Sequence, residues 1–176
     1  MADVADSDDS AYLLSKDDEL LEVNAGYMRF ASENGGAEST SSWRNRSVLL
    51  AIAEPLRGFY VTAFARVRDT GTPWEHEYEC NSPARLRTFH MNVYPSGTDL
   101  VVVHALRFDG PHTWPACAPE DGRYMHQGVI TMCANCRRVR NPSGRKRWDW
   151  VPAYLTCSSV AMSHGLCEPC ARFYWP

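Results

Sequence analysis

"PLRGFYVTAFARVRDTGTPWEHEYEC", residues 55–80, changes its repeat halfway along, and that change decides the fold. As far as Gly71 the apolar residues recur at helical spacing. Leu56, Phe59, Tyr60, Ala63, Phe64 and Val67 share one face of a 3.6-residue repeat. Pro55 suits a first helical turn, and Gly71 followed by Pro73 ends the helix. From Trp74 the period is two. Trp74, His76, Tyr78 and Cys80 alternate with Glu75, Glu77 and Glu79, the pattern of a half-buried strand with an acidic outer face. Arg85 and Arg87, just past the next turn, are candidates to pair with that acidic row.

Beyond this stretch, "NSP" turns the chain and "RLRTFHMNVY" puts Arg87, Phe89, Met91 and Val93 on one face. "PSGT" turns it again and "DLVVVHALRF" follows as a third strand. Three strands joined by short turns predict an antiparallel meander, whose apolar face the preceding helices are available to cover. Before it, "AYLLSKDDELLEV" predicts two short strands with a turn at Lys16–Asp18. Asn24 is an N-cap for the helix "AGYMRFASEN". Val23 and Met28 fit a hydrophobic staple, and Gly35–Gly36 fit the helix end. The polar residues 37–47 predict a loop, and residues 1–10 a disordered acidic leader.

The 176 residues are 44% apolar and 22% charged, a globular balance. No apolar run approaches the roughly 18 residues that would cross a bilayer. An acidic N-terminus without an apolar signal core predicts a cytoplasmic protein. Charge is divided unevenly. Residues 133–176 hold seven basic groups against two acidic ones, whereas the rest of the chain holds 11 against 19.

Seven cysteines in a reducing compartment point to metal or redox chemistry before a disulfide framework. Cys133-x-x-Cys136 and Cys167-x-x-Cys170 are two knuckles separated by 30 residues, and four thiolates suit tetrahedral Zn²⁺. The gap exceeds the usual ribbon spacing of roughly 15–20 residues. It therefore predicts structure inside it: a hairpin at "NPSG", then a short helix at "PAYL". A redox couple is the competing reading, but it needs a βαβ frame that the sequence lacks. Four sulfurs close the coordination sphere, which implies a structural metal rather than a zinc hydrolase. His164 is expected to support the second knuckle rather than replace a sulfur. Cys80 and Cys157 are expected to be buried, and Cys117 to be a linker thiol. No Ser–His–Asp pattern, Walker loop or glycine-rich nucleotide fingerprint is present, so no enzyme is expected.

Residues 12–106 resemble a bacterial PAS-like sensory domain. The resemblance lies in "VNAGYMRFA", the long helix, and an aromatic-rich strand running into "CNSP", where Asn81 stands in place of the subgroup's usual Asp. Residues 129–176 resemble a cysteine-rich tail found after such domains, through "CANCRRVR", "GRKRWDWVPAYL" and "SHGLCEPCARFYWP". The resemblance implies an α+β fold: a PAS-like antiparallel sheet with helices on one face, then a small zinc-knuckle module. The expected divisions are a leader (1–10), a PAS-like domain (11–108), a linker (109–128) and a Cys₄ module (129–176). It also implies a sensory, ligand-binding signalling protein. The expected role is non-enzymatic, with a homodimer or signalling protein as partner and a small molecule as ligand, and no membrane association is expected.

Candidate ligand-lining residues are Tyr60, Phe64, Trp74, His76, Tyr78, Phe89 and Met91, with filled core as the competing reading. Neither the Asn-Cys-Arg-Phe motif of a photoactive flavin version nor a helix histidine for haem is present. The alternative function is nucleic-acid binding through Arg137, Arg138, Arg140, Arg145, Lys146 and Arg147.

Overall fold

A computed structural model of the chain describes residues 7–34, 43–144, 147–156 and 160–176. The expectations placed on Gly35–Gly36, Cys157, Arg145 and Lys146, and on most of the leader and the first loop, lie outside the described residues. The chain divides into two compact units. The first is Met1–Ile52, Arg57–Glu77 and Phe89–Arg107; the second is Ala53–Leu56, Tyr78–Thr88 and Phe108–Pro176.

The first unit has the order expected from the sequence. Strand β1 (Ser10–Leu14) and strand β2 (Leu20–Val23) come first, then helix α1 (Ala25–Glu33) and the long helix α2 (Glu54–Thr70). The meander β3 (Trp74–Glu79), β4 (Arg85–Ser96) and β5 (Asp99–Pro111) follows. The sheet order is β2-β1-β5-β4-β3. Strand β1 pairs antiparallel with β5, from Ser10 opposite His104 to Leu14 opposite Leu100. This is an α+β fold, with an antiparallel sheet and helices packed on it.

Local chemistry explains these elements. The Asn24 side chain accepts from the Tyr27 amide at 2.8 Å, which caps α1. It also accepts from Ala11 N at 2.9 Å and donates to the Asp9 carbonyl at 2.8 Å, so one residue ties the helix start to β1. Gly26 lets the two backbones approach: a Cβ there would press on the Asp9 carbonyl and lie 2.7 Å from that of Asp8. The β1–β2 turn holds Asp18 at φ 60°, and Arg68 of α2 pins it. The Arg68 guanidinium lies 2.7 Å from Asp18 Oδ1 and 2.8 Å from the Ser15 carbonyl, with both charged side chains largely buried. Gly71, at φ 65°, ends α2.

The apolar face of α2 goes inward as its spacing predicts. Tyr60, Ala63, Phe64 and Val67 are buried, as are Phe89, Met91 and Val93 of β4 and Leu100 and Val102 of β5. Each of the valine, leucine, phenylalanine and methionine side chains among them contributes about 1.5–3 kcal/mol by leaving water. Rings from both helices meet the same face of the sheet. Phe30 of α1 packs edge-on against Phe89 at 5.6 Å, and Phe59 of α2 lies 4.9 Å from the His76 ring.

The acidic row of β3 departs from expectation at its end. Glu75 and Glu77 are exposed and approach His90 at 3.3 and 3.9 Å, but Glu79 is half-buried. Arg85 instead pairs with Asp109 at 2.7 Å, and Arg87 donates to the Cys80 carbonyl at 2.8 Å. The alternation marked the face correctly. It did not mark where the strand leaves solvent.

The second unit holds another small sheet. Helix α3 (Asp121–Tyr124) leads into β6 (Met125–His126), β7 (Val129–Cys133), β8 (Val139–Asn141), β9 (Arg147–Asp149) and β10 (Met162–Gly165), and helix α4 (Glu168–Tyr174) closes the chain. The order is β10-β7-β8-β9, with β6 against β7. The expected hairpin at "NPSG" is β8–β9, and "PAYL" forms a 3-10 turn at Pro152–Leu155. The stretch expected as a linker carries the end of β5, α3 and β6. Its Tyr124 is buried beside Ile130, Met132, Val139, Val151 and Tyr154. Cys117 packs against that cluster and donates its amide to the Trp150 carbonyl at 2.8 Å, so it is more than a linker thiol. Cys80 is half-buried rather than buried. Proline and glycine content marked irregular backbone here, which need not be exposed backbone.

Candidate metal centre

The first knuckle is the end of β7 and the turn after it. Cys133 closes the strand, its amide donating to the Arg138 carbonyl at 2.7 Å. Arg137, at φ 63°, folds the turn back so that its amide reaches the Cys133 carbonyl at 3.1 Å. The second knuckle is a helix start. Cys167 is the N-cap of α4, and Cys170 lies in the first turn after Glu168 and Pro169.

Strand pairing closes the 30-residue gap. Strand β10 runs parallel to β7 with Gly165 opposite Cys133, which sets the second pair beside the first. A parallel pair needs a crossover, and β8, β9 and the 3-10 turn are that crossover. Gly165 fits because space is short: a Cβ there would meet Thr131 Cγ2 at 3.3 Å.

The four sulfurs of Cys133, Cys136, Cys167 and Cys170 are buried and lie within 4.8 Å of one another. Cys167 Sγ is 3.8 Å from Cys133 Sγ and 3.7 Å from Cys136 Sγ. Zn–S bonds of ~2.3 Å in a tetrahedron set the sulfurs ~3.8 Å apart, so the spacing fits the ion. It is far from the ~2.05 Å of a disulfide, and these cysteines are free.

Each sulfur accepts an N–H. Cys167 N points at Cys133 Sγ (3.5 Å), Asn135 Nδ2 at Cys170 Sγ (3.4 Å), and Arg138 Nε at Cys136 Sγ (3.3 Å). Arg138 Nη2 reaches Cys167 Sγ at 3.5 Å. Proton sharing alone splits the thiols: hydrogen bonding from Cys136 and Cys167 pulls Cys133 far down, and hydrogen bonding to Cys133 pushes Cys136 and Cys170 up. A divalent cation would let all four be anionic together.

Asn135, inside the first knuckle, is the hub of the surrounding bonds. Its Oδ1 accepts from the Glu79 amide and the Tyr174 hydroxyl, both at 3.1 Å. Asn81 Nδ2 donates to the Cys136 carbonyl at 3.2 Å and to Glu79 Oε2 at 2.7 Å. Burial raises the Glu79 carboxyl above its usual range, against the Asn81 hydrogen bond. The segment that follows β3 is thereby fastened to the knuckle within one unit. Nothing in the spacing of "ECNSP" signalled this.

His164 is exposed on β10 and outside the sulfur cluster. Of the basic candidates, Arg138 is turned onto the sulfurs and Arg147 pairs with Asp149 at 2.9 Å. Arg140 is exposed, and Arg137 is half-buried at the knuckle turn. The candidate ligand residues differ in burial. Tyr60, Phe64, Phe89 and Met91 are buried, Trp74, His76 and Tyr78 are half-buried, and the Trp74 and His76 rings stack at 5.4 Å. A cleft of about 370 Å³ in the first unit is lined by Leu20, Tyr27, Met28, Trp43, Arg46 and neighbours, and by none of those seven.

No protein-family model and no curated protein matches the chain. Among solved structures it is similar to a domain of an HTR-like protein from Haloarcula marismortui, with 15% identity, 57% of this chain and 98% of that one covered, and a TM-score of 0.44. It is also similar to the PAS domain of Bordetella pertussis BvgS (12%, 61% and 82%, TM-score 0.47). A third likeness is to a domain of a sensory box sensor histidine kinase/response regulator from Geobacter sulfurreducens (11%, 58% and 87%, TM-score 0.43).

Proposed function

We propose that the chain is a non-enzymatic sensory module in which a PAS-like unit is followed by a unit built on a structural zinc ion. The observation that carries this reading is the cluster of four buried sulfurs at tetrahedral spacing. Cys133, Cys136, Cys167 and Cys170 would hold the ion, which supplies a rigid cross-link between β7 and α4. Four sulfur ligands leave no position for a substrate water, which favours a structural role. Output then passes through protein–protein contact, within a homodimer or to a signalling partner.

Purified without chelator, the chain is expected to carry about one zinc, and the Cys136→Ser, Cys170→Ser double variant to carry none. A folded, metal-free wild-type chain would end the proposal. Nucleic-acid binding is the competing reading. It is weakened because Arg138 and Arg147, two of its four described basic residues, are engaged with sulfur and with Asp149. Failure to bind mixed DNA and RNA at low salt would dismiss it.

A further inference from the structure

Arg138 is the feature of the second unit that simple metal holding leaves unexplained. A divalent ion with four thiolates carries a net charge of −2, and the site is buried. Two sulfurs receive neutral donors: Cys133 from a backbone amide and Cys170 from Asn135. The other two share one cation. Arg138 spans Cys136 and Cys167, one sulfur from each knuckle, at 3.3 and 3.5 Å. Among the described residues it is the basic side chain hydrogen-bonded to these sulfurs. Trp114 holds it there, with the guanidinium carbon 4.9 Å from the ring centroid. Trp114 also packs against the sulfur cluster, so the ring clamps the cation and covers the site.

We infer that Arg138, clamped by Trp114, is the charge-compensating residue of the metal centre, and that it sets how firmly Cys136 and Cys167 are held and how well they are shielded from thiol reagents. This rests on the four cysteines binding a metal. Planarity is part of the fit. A guanidinium places two N–H groups on two sulfurs at once, whereas a lysine ammonium offers a point charge with no fork. Partners of metal ligands change metal affinity by roughly 10- to 100-fold when removed.

The test uses the full zinc-loaded chain as wild type, Arg138→Gln, Arg138→Lys and Trp114→Leu. Zinc transfer to a chromophoric chelator is timed, and iodoacetamide labelling of each cysteine is mapped by mass spectrometry. Arg138→Gln keeps an N–H donor and loses the charge. It is expected to release zinc ~10- to 100-fold faster. Its labelling should rise selectively at Cys136 and Cys167. Arg138→Lys should recover part of the loss, and Trp114→Leu should move in the same direction by less, which keeps the idea testable if the glutamine variant does not fold. Unchanged release, or equal acceleration at all four cysteines, overturns the inference while leaving the metal reading intact. A wild-type chain that holds no zinc overturns both.

Discussion

Replacing Asp149 with alanine should loosen the hairpin that links the two knuckles. Asp149 Oδ2 accepts from the Tyr124 hydroxyl and from Asn141 Nδ2, each at 3.0 Å. Oδ1 accepts from Arg147 Nε at 2.9 Å, and Arg123 approaches at 3.4 Å. Burial works against this charge, and hydrogen bonds from Arg147, Asn141 and Tyr124 outweigh it, holding the carboxyl below its usual range. Tyr124 and Asn141 are 1% and 3% exposed, so truncation strands two buried donors at roughly 1–3 kcal/mol each. The Arg147 side chain is more than half exposed and adds little. The expected loss is ~2–6 kcal/mol, the sum for the two stranded donors. Native-state hydrogen exchange at residues 139–141 and 147–149 reads this unit directly. Protection there should fall by about 10²- to 10⁴-fold. Adding Tyr124→Phe to Asp149→Ala removes one stranded donor and should recover ~1 kcal/mol. A loss under ~1 kcal/mol, with no recovery in the double variant, would refute the reasoning.

Burial pushes the His104 imidazole from its ordinary 6.5 down to about 4, where it bonds the Tyr12 hydroxyl at 3.0 Å. On acidification the unfolded chain takes up this proton first. The contribution is full above pH 6.5 and is lost as pH falls towards 4, ~3 kcal/mol in all. Exchange protection of β1 and β5 should show that decline in the wild type and lack it in His104→Gln; superimposed profiles would contradict the assignment. His76, lowered by burial and by His90, acts in the same sense. Asn24→Ala should cost ~1–2 kcal/mol, measured by urea unfolding of the first unit, because the cap of α1 and its tie to β1 are lost together. Gly26→Ala should cost ~1–3 kcal/mol, since the new methyl meets two carbonyl oxygens; a neutral result would mean the backbones separate freely.

What the sequence made legible was local. The change of period at Trp74, the cap at Asn24, the stop at Gly71 and the two Cys-x-x-Cys turns are each set by residues within one or two turns of one another. What it left obscure was partnership. The pairing of β1 with β5 joins Ser10 to His104, and that of β10 with β7 joins Gly165 to Cys133. Periodicity tells which face is buried but not which strand lies alongside. The same limit hid the surroundings of the metal centre. Arg138 reads as one more cation in a basic run, and Trp114 and Tyr124 lie in a proline- and glycine-rich stretch. Asn135 occupies a knuckle position where many residue types fit. Their roles come from long-range contacts. For the same reason Glu79, third in an alternating acidic row, turned out half-buried.

X-ray absorption at the zinc edge of the purified chain tests the central claim most directly, because it reports the atoms bound to the ion. Four sulfur neighbours at ~2.3 Å are expected, with no nitrogen or oxygen in the first shell. Three sulfurs with one nitrogen would transfer a ligand role to a histidine, and a protein without zinc, its four thiols reacting independently, would contradict the account.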